Sequence, residues 1–365
     1  MRVAIVHYWL TSMRGGEKML ESLLEMFPEA DIYTHVYSMK SVSALINRHK
    51  VYTSSINRLP FASRLYKVYM PLMPRALLEF DLQDYELVIS SEAGPAKGVV
   101  ASPDAFHACY CHSPMRYLWD LYHEYYNGAS IVFRLFMRLL VPSLRLWDVM
   151  SANLVDRFIA NSTYTAKRIK RYYNRDADVV FGPADVEKYL EIERDVKDYY
   201  LVFGQVTENK RVDIAVDACL ALGRRLVVAG GGSTKTLRKR AAGRAGITFA
   251  GRVSDGEAER LLSEARALLF PGIEDMGLVP IEAAAAGCPV IAYRKGGVLD
   301  TVKENITGIF FDEQTVASLS AAIQHFETVE ADFSSRQAFT AHALQFSKSA
   351  FKERVRKALA ERRRV

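Results

Sequence analysis

The sequence predicts an α/β protein built from two doubly wound domains. Short apolar runs rich in Val and Ile alternate with longer amphipathic segments along the whole chain, a pattern typical of parallel sheets covered by helices on both faces. A polar segment at 182–199 interrupts this series, which starts again at Tyr200. We therefore expect one domain at 1–182 and a second at 183–348, with a basic helix at 349–365 that packs back on the first domain.

The strands and helices of this series follow from the apolar periodicity. The predicted strands are Arg2–Tyr8, Asp31–Val36, Leu87–Ser91, Phe106–Cys111, Arg157–Ala160, Val179–Phe181, Tyr199–Gly204, Arg225–Ala229, Ile247–Ala250, Ala267–Pro271, Val290–Tyr293 and Gly308–Phe311. The main predicted helices are Glu17–Phe27, Asp213–Leu222, Asp255–Ala265, Pro280–Ala286 and Thr315–Phe326.

The composition is that of a globular protein, with 50% hydrophobic and 25% charged residues. Met1 runs directly into a predicted strand, so we expect no signal peptide and a cytoplasmic location. The four cysteines lie in apolar contexts, as reduced core cysteines do. The net charge of +6 favours an anionic partner, and it fits a nucleotide diphosphate, an anionic lipid or a nucleic acid equally well.

Two segments of the first domain mix basic with large apolar and aromatic residues. They cover 56–78 and 130–147, and the second is too short and too charged to span a bilayer. Such segments either lie in the interface of an anionic membrane or form core helices whose arginines reach the surface. The first alternative would place the protein peripherally on the inner face of the cytoplasmic membrane.

The most specific motif is the segment Gly272-Ile-Glu-Asp-Met-Gly-Leu-Val-Pro-Ile-Glu282. A strand ends just before it, and Pro280 suits the first turn of the helix that follows. The free N–H groups from Gly277 through Leu278 to Val279 form an anion cradle with the positive helix end. The carboxylates of Glu274 and Glu282 would flank this phosphate site and accept hydrogen bonds from sugar hydroxyls.

These two glutamates, followed by Ala-Ala-Gly-Cys-Pro-Val-Ile-Ala-Tyr-Arg-Lys-Gly-Gly, resemble the donor site of the retaining glycosyltransferases of family 4. The variant Glu-Asp-Met-Gly-Leu-Val-Pro-Ile-Glu is most similar to the mannosyltransferases of O-antigen and exopolysaccharide assembly. The resemblance implies a GT-B fold, in which two Rossmann-like domains face each other across a cleft. It also implies transfer of a hexose, mannose from GDP-mannose being our first expectation, to a glycan or a polyprenyl-diphosphate-linked acceptor in cell-surface polysaccharide synthesis.

A second loop carries two adjacent basic residues. Lys210 and Arg211 follow the predicted strand Tyr199–Gly204, where they can neutralise a diphosphate. In the family that the chain resembles, this loop has a basic residue after its glycine and a lysine six positions after it. Lys210 fits the second position, whereas Gln205 stands where arginine is usual, so Arg211 could take over that contact.

Two further sites lie in the first domain. The pair Gly15-Gly16 opens a helix after the first strand and lets the backbone approach a donor phosphate or sugar closely. His112, in His-Ser-Pro after an apolar strand, resembles the family's residue near the anomeric carbon and could bind a donor-sugar hydroxyl. The role of Glu92, at the end of another strand, is left open.

Neither a metal nor a nucleic acid is expected. Asp176-Ala-Asp178 imitates a metal-binding Asp-x-Asp motif, but it precedes a predicted strand, and we interpret it as a turn. A nucleic-acid binder would need a basic face and a stacking platform. The loops 230–232 and 251–254 resemble those that frame the nucleotide base.

The expected mechanism follows from these assignments. The donor diphosphate is bound by Gly15-Gly16, by Lys210-Arg211 and by the helix start at 277–279, Glu282 binds ribose, and Glu274 binds the donor sugar. His112 and Glu274 are the catalytic candidates. Two alternatives remain at this point, namely an inactive membrane-associated scaffold that binds nucleotide sugars and an epimerase of the same fold.

Overall fold

A computed structural model describes residues 1–360. The chain divides into two compact units, each with its own parallel sheet. The N-terminal unit comprises Met1–Gly182 and the residues from Phe351 onward, and the C-terminal unit is Pro183–Ala350. The last five residues of the predicted terminal helix, 361–365, lie outside the described part of the chain.

The sheet of the N-terminal unit has seven parallel strands in the order β3-β2-β1-β4-β5-β6-β7. The strands are β1 Val3–His7, β2 Asp31–Thr34, β3 Val51–Thr53, β4 Leu87–Glu92, β5 Phe106–Cys111, β6 Arg157–Ala160 and β7 Ala177–Val179. The helices of this part of the chain are α1 Gly15–Met26, α2 Ala44–Asn47, α3 Ala62–Tyr69, α4 Met73–Ala76, α5 Tyr122–Gly128, α6 Ile131–Ser151 and α7 Thr163–Tyr173.

The C-terminal unit repeats this plan with six parallel strands in the order β10-β9-β8-β11-β12-β13. Its strands are β8 Tyr200–Phe203, β9 Leu226–Ala229, β10 Ile247–Gly251, β11 Leu268–Phe270, β12 Val290–Tyr293 and β13 Gly308–Phe311. The remaining helices are α8 Glu187–Leu190, α9 Val212–Leu222, α10 Lys235–Ala241, α11 Asp255–Glu264, α12 Leu278–Ala285, α13 Val298–Thr301, α14 Val316–Val329, α15 Arg336–Ala343 and α16 Lys348–Ala360. The prediction of two doubly wound α/β domains is therefore confirmed.

The last helix belongs to both units. α16 begins in the C-terminal unit, where Lys348 pairs with Asp185 at 2.7 Å. From Phe351 onward it packs into the core of the N-terminal unit, with Phe351 and Val355 buried beside the strands of that sheet. Arg157 donates to the carbonyl oxygen of Ala358 at 2.7 Å and ties the end of this helix to β6.

Both sheets place a topological switch point near the expected binding residues. The strand order reverses between β1 and β4 in the first sheet and between β8 and β11 in the second. Loops that leave adjacent strands in opposite directions open a crevice at such a point, where open α/β sheets bind ligands.

Two predictions about strands need correction. β3 was not predicted, because this edge strand has only three residues, none of them buried, and so lacks an apolar run. β7 covers Ala177–Val179 and not 179–181, so Asp178 lies inside a strand and the interpretation of Asp176-Ala-Asp178 as a turn before a strand is wrong. Both carboxylates form ion pairs, Asp176 with Lys170 at 2.9 Å and Asp178 with Arg157 at 3.6 Å.

The structure gives Glu92 a place in the core. Its side chain is fully buried and contacts the equally buried Lys97, whose Nζ lies 2.8 Å from Glu92 Oε1. Lys97 also pairs with buried Asp148 of α6, and that carboxylate accepts hydrogen bonds from Trp119 at 2.8 Å and Tyr173 at 3.0 Å. This cluster joins β4, α6 and α7, and the carboxylates of Glu92 and Asp148 form their ion pairs and hydrogen bonds with other buried residues of the same unit.

Candidate functional site

The loops at the switch point of the C-terminal sheet bring a cation and a carboxylate together. Lys210 comes from the loop after β8, and Glu274 comes from the loop after β11. Lys210 Nζ lies 2.8 Å from Glu274 Oε1, and each side chain is 23% exposed. An ion pair at this exposure stays accessible to a ligand, and a diphosphate can compete with Glu274 for the ammonium group.

Glycines let these loops approach one another. Gly204 has φ +118°, and a Cβ there would lie 3.2 Å from Lys210 Nζ and 3.8 Å from Val279 Cγ2. A side chain at Gly272 would meet the Lys210 Cα at 2.7 Å. A side chain at Gly230, the first residue of the predicted base-framing loop, would collide with the carbonyl of Gly204. The site is thus assembled from close backbone contacts that larger residues would prevent.

The start of α12 lies at this same place. Gly277 precedes the helix with φ +83°, Leu278 and Val279 form its first residues, and Pro280 is in the first turn. The first N–H groups of a helix have no intrahelical partner, which makes this end suited to an anion. Glu282 follows one turn later and is partly exposed.

The other two residues predicted on the β8 loop behave differently from Lys210. Gln205 is exposed. The Arg211 guanidinium donates to both oxygens of Asp213, at 3.1 and 3.2 Å, and to Gln314 at 3.4 Å. Gln314 in turn donates to the carbonyl of Pro271 at 2.8 Å, so Arg211 braces the two loops against each other.

The predicted residues of the N-terminal unit lie at the carboxyl edge of its own sheet. Gly15 and Gly16 are the first residues of α1, and a side chain at Gly16 would collide with the Tyr8 hydroxyl just after β1. His112 directly follows β5, and its Nε2 lies 3.0 Å from Ser91 Oγ at the end of β4. The structure thus brings Lys210, Glu274 and Val279 together in one unit, and it places Gly16 and His112 in the other.

Sequence reasoning missed three polar side chains beside His112. Ser91 Oγ also contacts His7 Nδ1 at 2.9 Å, and His7 Nε2 lies 4.0 Å from Glu17 Oε1. His7 and Ser91 end strands that are neighbours only through the switch point, so nothing in the linear sequence pairs them. The one available signal was a polar residue at or next to the end of each of two predicted apolar strands.

Metal-binding groups and membrane spans are both absent from residues 1–360. Within these residues, no group of three or more His, Cys, Asp or Glu side chains could hold a metal ion. No helix among them is long and apolar enough to cross a membrane.

Comparison with known proteins gives curated relatives for part of the chain. The curated relatives include glycogen synthase from Xanthomonas axonopodis, 28% identical over 39% of this chain and 31% of that protein. They also include the human alpha-1,3/1,6-mannosyltransferase ALG2, 26% identical over 48% of this chain and 51% of that protein. The matched region thus spans about a third to a half of the length of these relatives.

Solved structures share the fold over nearly the whole chain. HepE from Anabaena, solved in complex with UDP, has a TM-score of 0.72 and 15% identity, with 99% of this chain and 100% of that one covered. Sucrose-phosphate synthase from Thermosynechococcus elongatus has the same TM-score and 16% identity, with 99% of each chain covered. At these identities the likeness shows the fold alone, which is the two-domain α/β fold of GT-B glycosyltransferases.

Two family models divide the chain between them. The model Glycosyltransferase Family 4 matches residues 13–188, and the model Glycosyl transferases group 1 matches residues 190–346. Since the two matches run consecutively and together account for most of the chain, the chain consists of a family 4 glycosyltransferase domain followed by a group 1 glycosyl transferase domain.

Proposed function

We propose that this protein is a retaining glycosyltransferase that transfers a hexose from a nucleoside-diphosphate sugar to a glycan or a lipid-linked acceptor. The observation that carries the proposal is the Lys210–Glu274 pair beside the start of α12, at the switch point of a parallel sheet. A cation and unpaired helix N–H groups suit a diphosphate, and an adjacent carboxylate suits the hydroxyls of the sugar attached to it.

In this proposal Lys210 and the N–H groups of 277–279 bind the leaving diphosphate. Their positive charge stabilises the negative charge that develops on the phosphate as the glycosidic bond breaks. Glu274 binds the donor sugar near its developing oxocarbenium charge, and Glu282 binds the ribose hydroxyls. The departing phosphate oxygen takes the proton of the acceptor hydroxyl, so that no side chain acts as a nucleophile.

We propose donor-binding roles for the remaining predicted residues as well. Gly15 and Gly16 allow close approach of the α1 backbone, and His112 binds a hydroxyl of the donor sugar. We propose a smaller contribution to donor binding for Gln205 and Arg211. The hydrogen bonds from Arg211 to Asp213 support a role for Arg211 in holding the loop in place.

The donor that we propose is GDP-mannose. Its support is the similarity of residues 274–282 to mannosyltransferases and the match to a protein named alpha-1,3/1,6-mannosyltransferase. UDP-glucose is the competing donor, because HepE, which shares the fold, has been crystallised in complex with UDP-glucose. The polyprenyl-diphosphate-linked or glycan acceptor, in cell-surface polysaccharide synthesis, rests on the resemblance alone.

Donor turnover tests the activity. Purified protein is incubated with GDP-mannose, UDP-glucose and a lipid-linked glycan acceptor, and release of the nucleoside diphosphate is measured. We expect acceptor-dependent release that falls by orders of magnitude in Glu274→Ala, while the matched variant Glu304→Ala, which removes an exposed carboxylate paired with Arg294, retains activity. Turnover of Glu274→Ala at the wild-type rate would reject the assigned role.

We also propose that the N-terminal unit docks on an anionic membrane surface, which would place the protein on the inner face of the cytoplasmic membrane. The support is the outward face of α6, which is apolar although it meets solvent. Met137 and Val141 turn inward and are buried, whereas Ile131 is 84% exposed and Leu139 is 66% exposed. Further exposed apolar residues on this helix are Val132, Phe133, Leu135, Phe136, Leu140, Leu146 and Met150.

Charge favours a lipid surface as the occupant of this face. The segments 56–78 and 130–147 contain no Asp or Glu, and the first also exposes Phe61, Val68 and Leu72. Their basic residues are Arg58, Arg64, Lys67, Arg75, Arg134, Arg138 and Arg145. Apolar side chains flanked by cations suit the headgroup boundary of an anionic bilayer, since burial of the former and attraction of the latter add.

Vesicle binding tests this surface. The protein should sediment with phosphatidylglycerol vesicles and less with phosphatidylcholine vesicles, and Leu135→Asp/Leu139→Asp should abolish this binding. Leu299→Asp, which changes an exposed leucine of the C-terminal unit, should bind as the wild type does. If the double variant still binds vesicles, the proposed membrane contact is wrong. It is also wrong if the wild type proves to be a dimer in solution that the double substitution separates, since the apolar face would then bind a second copy of the chain.

A further inference from the structure

One face of α7 holds the loop that follows β5. Thr165, Arg168 and Tyr172 are spaced by three and four residues, so they lie on the same side of this helix. All three contact the loop 112–120, which begins with His112 at the carboxyl end of β5. A single helix face is therefore in contact with both ends of this loop.

The guanidinium of Arg168 makes the strongest of these contacts. It donates from Nη1 to Ser113 Oγ at 2.8 Å, and from Nη2 to the carbonyl oxygen of Pro114 at 3.1 Å and to Asp120 Oδ1 at 2.5 Å. Ser113 and Pro114 directly follow His112, whereas Asp120 is at the other end of the loop. Arg168 thus ties the two ends of the loop to one planar group.

The other two residues of this face support the same loop. Thr165 Oγ1 donates to the carbonyl oxygen of His112 at the long distance of 3.5 Å. The rings of Tyr172 and Trp119 stack with their centroids 4.7 Å apart and their planes 11° apart. On the opposite side, the backbone N–H of His112 donates to the carbonyl oxygen of Glu92 at 2.8 Å. The sheet therefore fixes the first residue of the loop, and α7 holds the residues that follow it.

Burial makes the geometry around Arg168 demanding. The residue is only 5% exposed, and a buried guanidinium is costly unless its charge and its N–H groups have partners. Asp120 supplies the opposite charge, and Ser113 and Pro114 supply two further acceptors. Lysine cannot replace this arrangement, because an ammonium presents its donors from one point and lacks the planar fork that reaches three acceptors at once.

We propose that Arg168 is a positioning residue that fixes the loop 112–120 and so holds His112 at the carboxyl edge of the sheet for contact with the donor sugar. Since Arg168 is buried, it acts through the loop. The proposal rests on the proposed function, in which His112 binds a hydroxyl of that sugar. A displacement of about 1 Å near a reacting centre can reduce a rate about 100-fold, so release of the loop should be measurable in catalysis.

Arg175 offers a matched control in the same unit. It follows α7 by two residues and donates to the carbonyl oxygens of Ala152 at 2.8 Å and Val155 at 2.7 Å. These acceptors lie in the segment that leads into β6, outside the loop 112–120. Arg175→Lys therefore removes a comparable set of hydrogen bonds and leaves the contact between α7 and the loop in place.

Amide hydrogen exchange of the whole protein, followed by mass spectrometry without nucleotide, tests the structural step. We expect peptides of the loop 112–120 to exchange about tenfold faster in Arg168→Lys than in the wild type, because a hydrogen-bonded contact with a charged group is lost. Asp120→Asn, which removes the charge of the carboxylate partner, should accelerate the same peptides. Arg175→Lys should leave them unchanged.

Unchanged exchange of the loop in both Arg168→Lys and Asp120→Asn would overturn the proposal. If Arg168→Lys does not fold, Asp120→Asn decides alone, since it keeps the size of the side chain and the bonds from Arg168 to Ser113 and Pro114.

Transfer kinetics test the catalytic step. Arg168→Lys should lower kcat about 10- to 100-fold, whereas Arg175→Lys should keep the wild-type value. When His112→Ala is already present, adding Arg168→Lys should lower kcat by less than about twofold, because the side chain that it positions is absent. A loss of the same size with and without His112 would overturn the proposal, since Arg168 would then act independently of it.

The two measurements separate this proposal from the proposed function. If the loop exchanges as expected and the wild type transfers sugar from neither GDP-mannose nor UDP-glucose, the proposed function is refuted and the catalytic role of Arg168 with it. The role of Arg168 in holding the loop 112–120 would still be supported by the exchange rates.

Discussion

Replacement of Lys210 by alanine isolates the contact that the proposed donor site depends on most. The side chain is 23% exposed and its Nζ lies 2.8 Å from Glu274 Oε1, so the ammonium is held in place before any ligand arrives. A hydrogen bond to a charged group contributes about 1.5–3 kcal/mol. Since about 1.4 kcal/mol corresponds to a tenfold change, Lys210→Ala should weaken nucleoside-diphosphate binding about 10- to 150-fold.

The neighbouring carboxylate sharpens this prediction. Without Lys210, the charge of Glu274 faces the diphosphate directly, and two like charges about 4 Å apart repel by about 1–4 kcal/mol depending on the solvent around them. Lys210→Ala/Glu274→Gln should therefore bind GDP or UDP more tightly than Lys210→Ala alone. These nucleotides lack the sugar that Glu274 is proposed to hold, so the second substitution removes only repulsion.

Isothermal titration with GDP and UDP measures both effects. Lys303→Ala, which removes an exposed lysine on the loop that leads into β13, is the control and should bind as the wild type does. A dissociation constant of Lys210→Ala within twofold of the wild-type value would refute the reasoning. A double variant no better than the single one would refute the role of repulsion.

Two further predictions concern stability. Lys97→Met leaves the buried carboxylates of Glu92 and Asp148 without their cation and should lower the free energy of unfolding by about 3–5 kcal/mol in urea titrations. The control Lys67→Met changes an exposed lysine and should alter this free energy by no more than about 0.5 kcal/mol. Similar urea midpoints for the two variants would contradict the account of the Glu92–Lys97–Asp148 cluster. Burial lowers the pKa of both His35 and His107 to about 4, so between that value and about 6.5 the unfolded chain binds more protons and stability falls as the pH falls. Each histidine should lower the free energy of unfolding by about 2 kcal/mol between pH 7 and pH 5. His107→Gln should therefore lose about 2 kcal/mol less than the wild type over this range. An equal loss of stability in the variant and the wild type would contradict the lowered pKa of His107.

The sequence was sufficient to predict the fold class, because the signals of the buried strands are local. β5, β6, β12 and β13 were predicted with their observed bounds, since parallel strands buried on both faces are continuous apolar runs. β3 lacks that signal, and β7 begins inside a polar stretch, so both depend on pairing with a neighbour that the linear chain does not reveal.

The site could be predicted in part for the same reason. Glu274, Gly277 and Lys210 stand in loops whose glycines and proline mark the strand ends, and the structure brings these loops together. The partners of Arg211 and the burial of Glu92 depend on residues far away in the sequence, Gln314 and Asp148 among them. The contacts of Ser91 with His7 and with His112 could not be predicted either, because strand order determines them.

A crystal structure with bound GDP or UDP tests the central claim most directly. The account predicts that the diphosphate lies within hydrogen-bond distance of Lys210 Nζ and of the N–H groups at the start of α12, with the ribose beside Glu282. A nucleotide bound elsewhere on the C-terminal unit, with the Lys210–Glu274 pair unchanged, would contradict it.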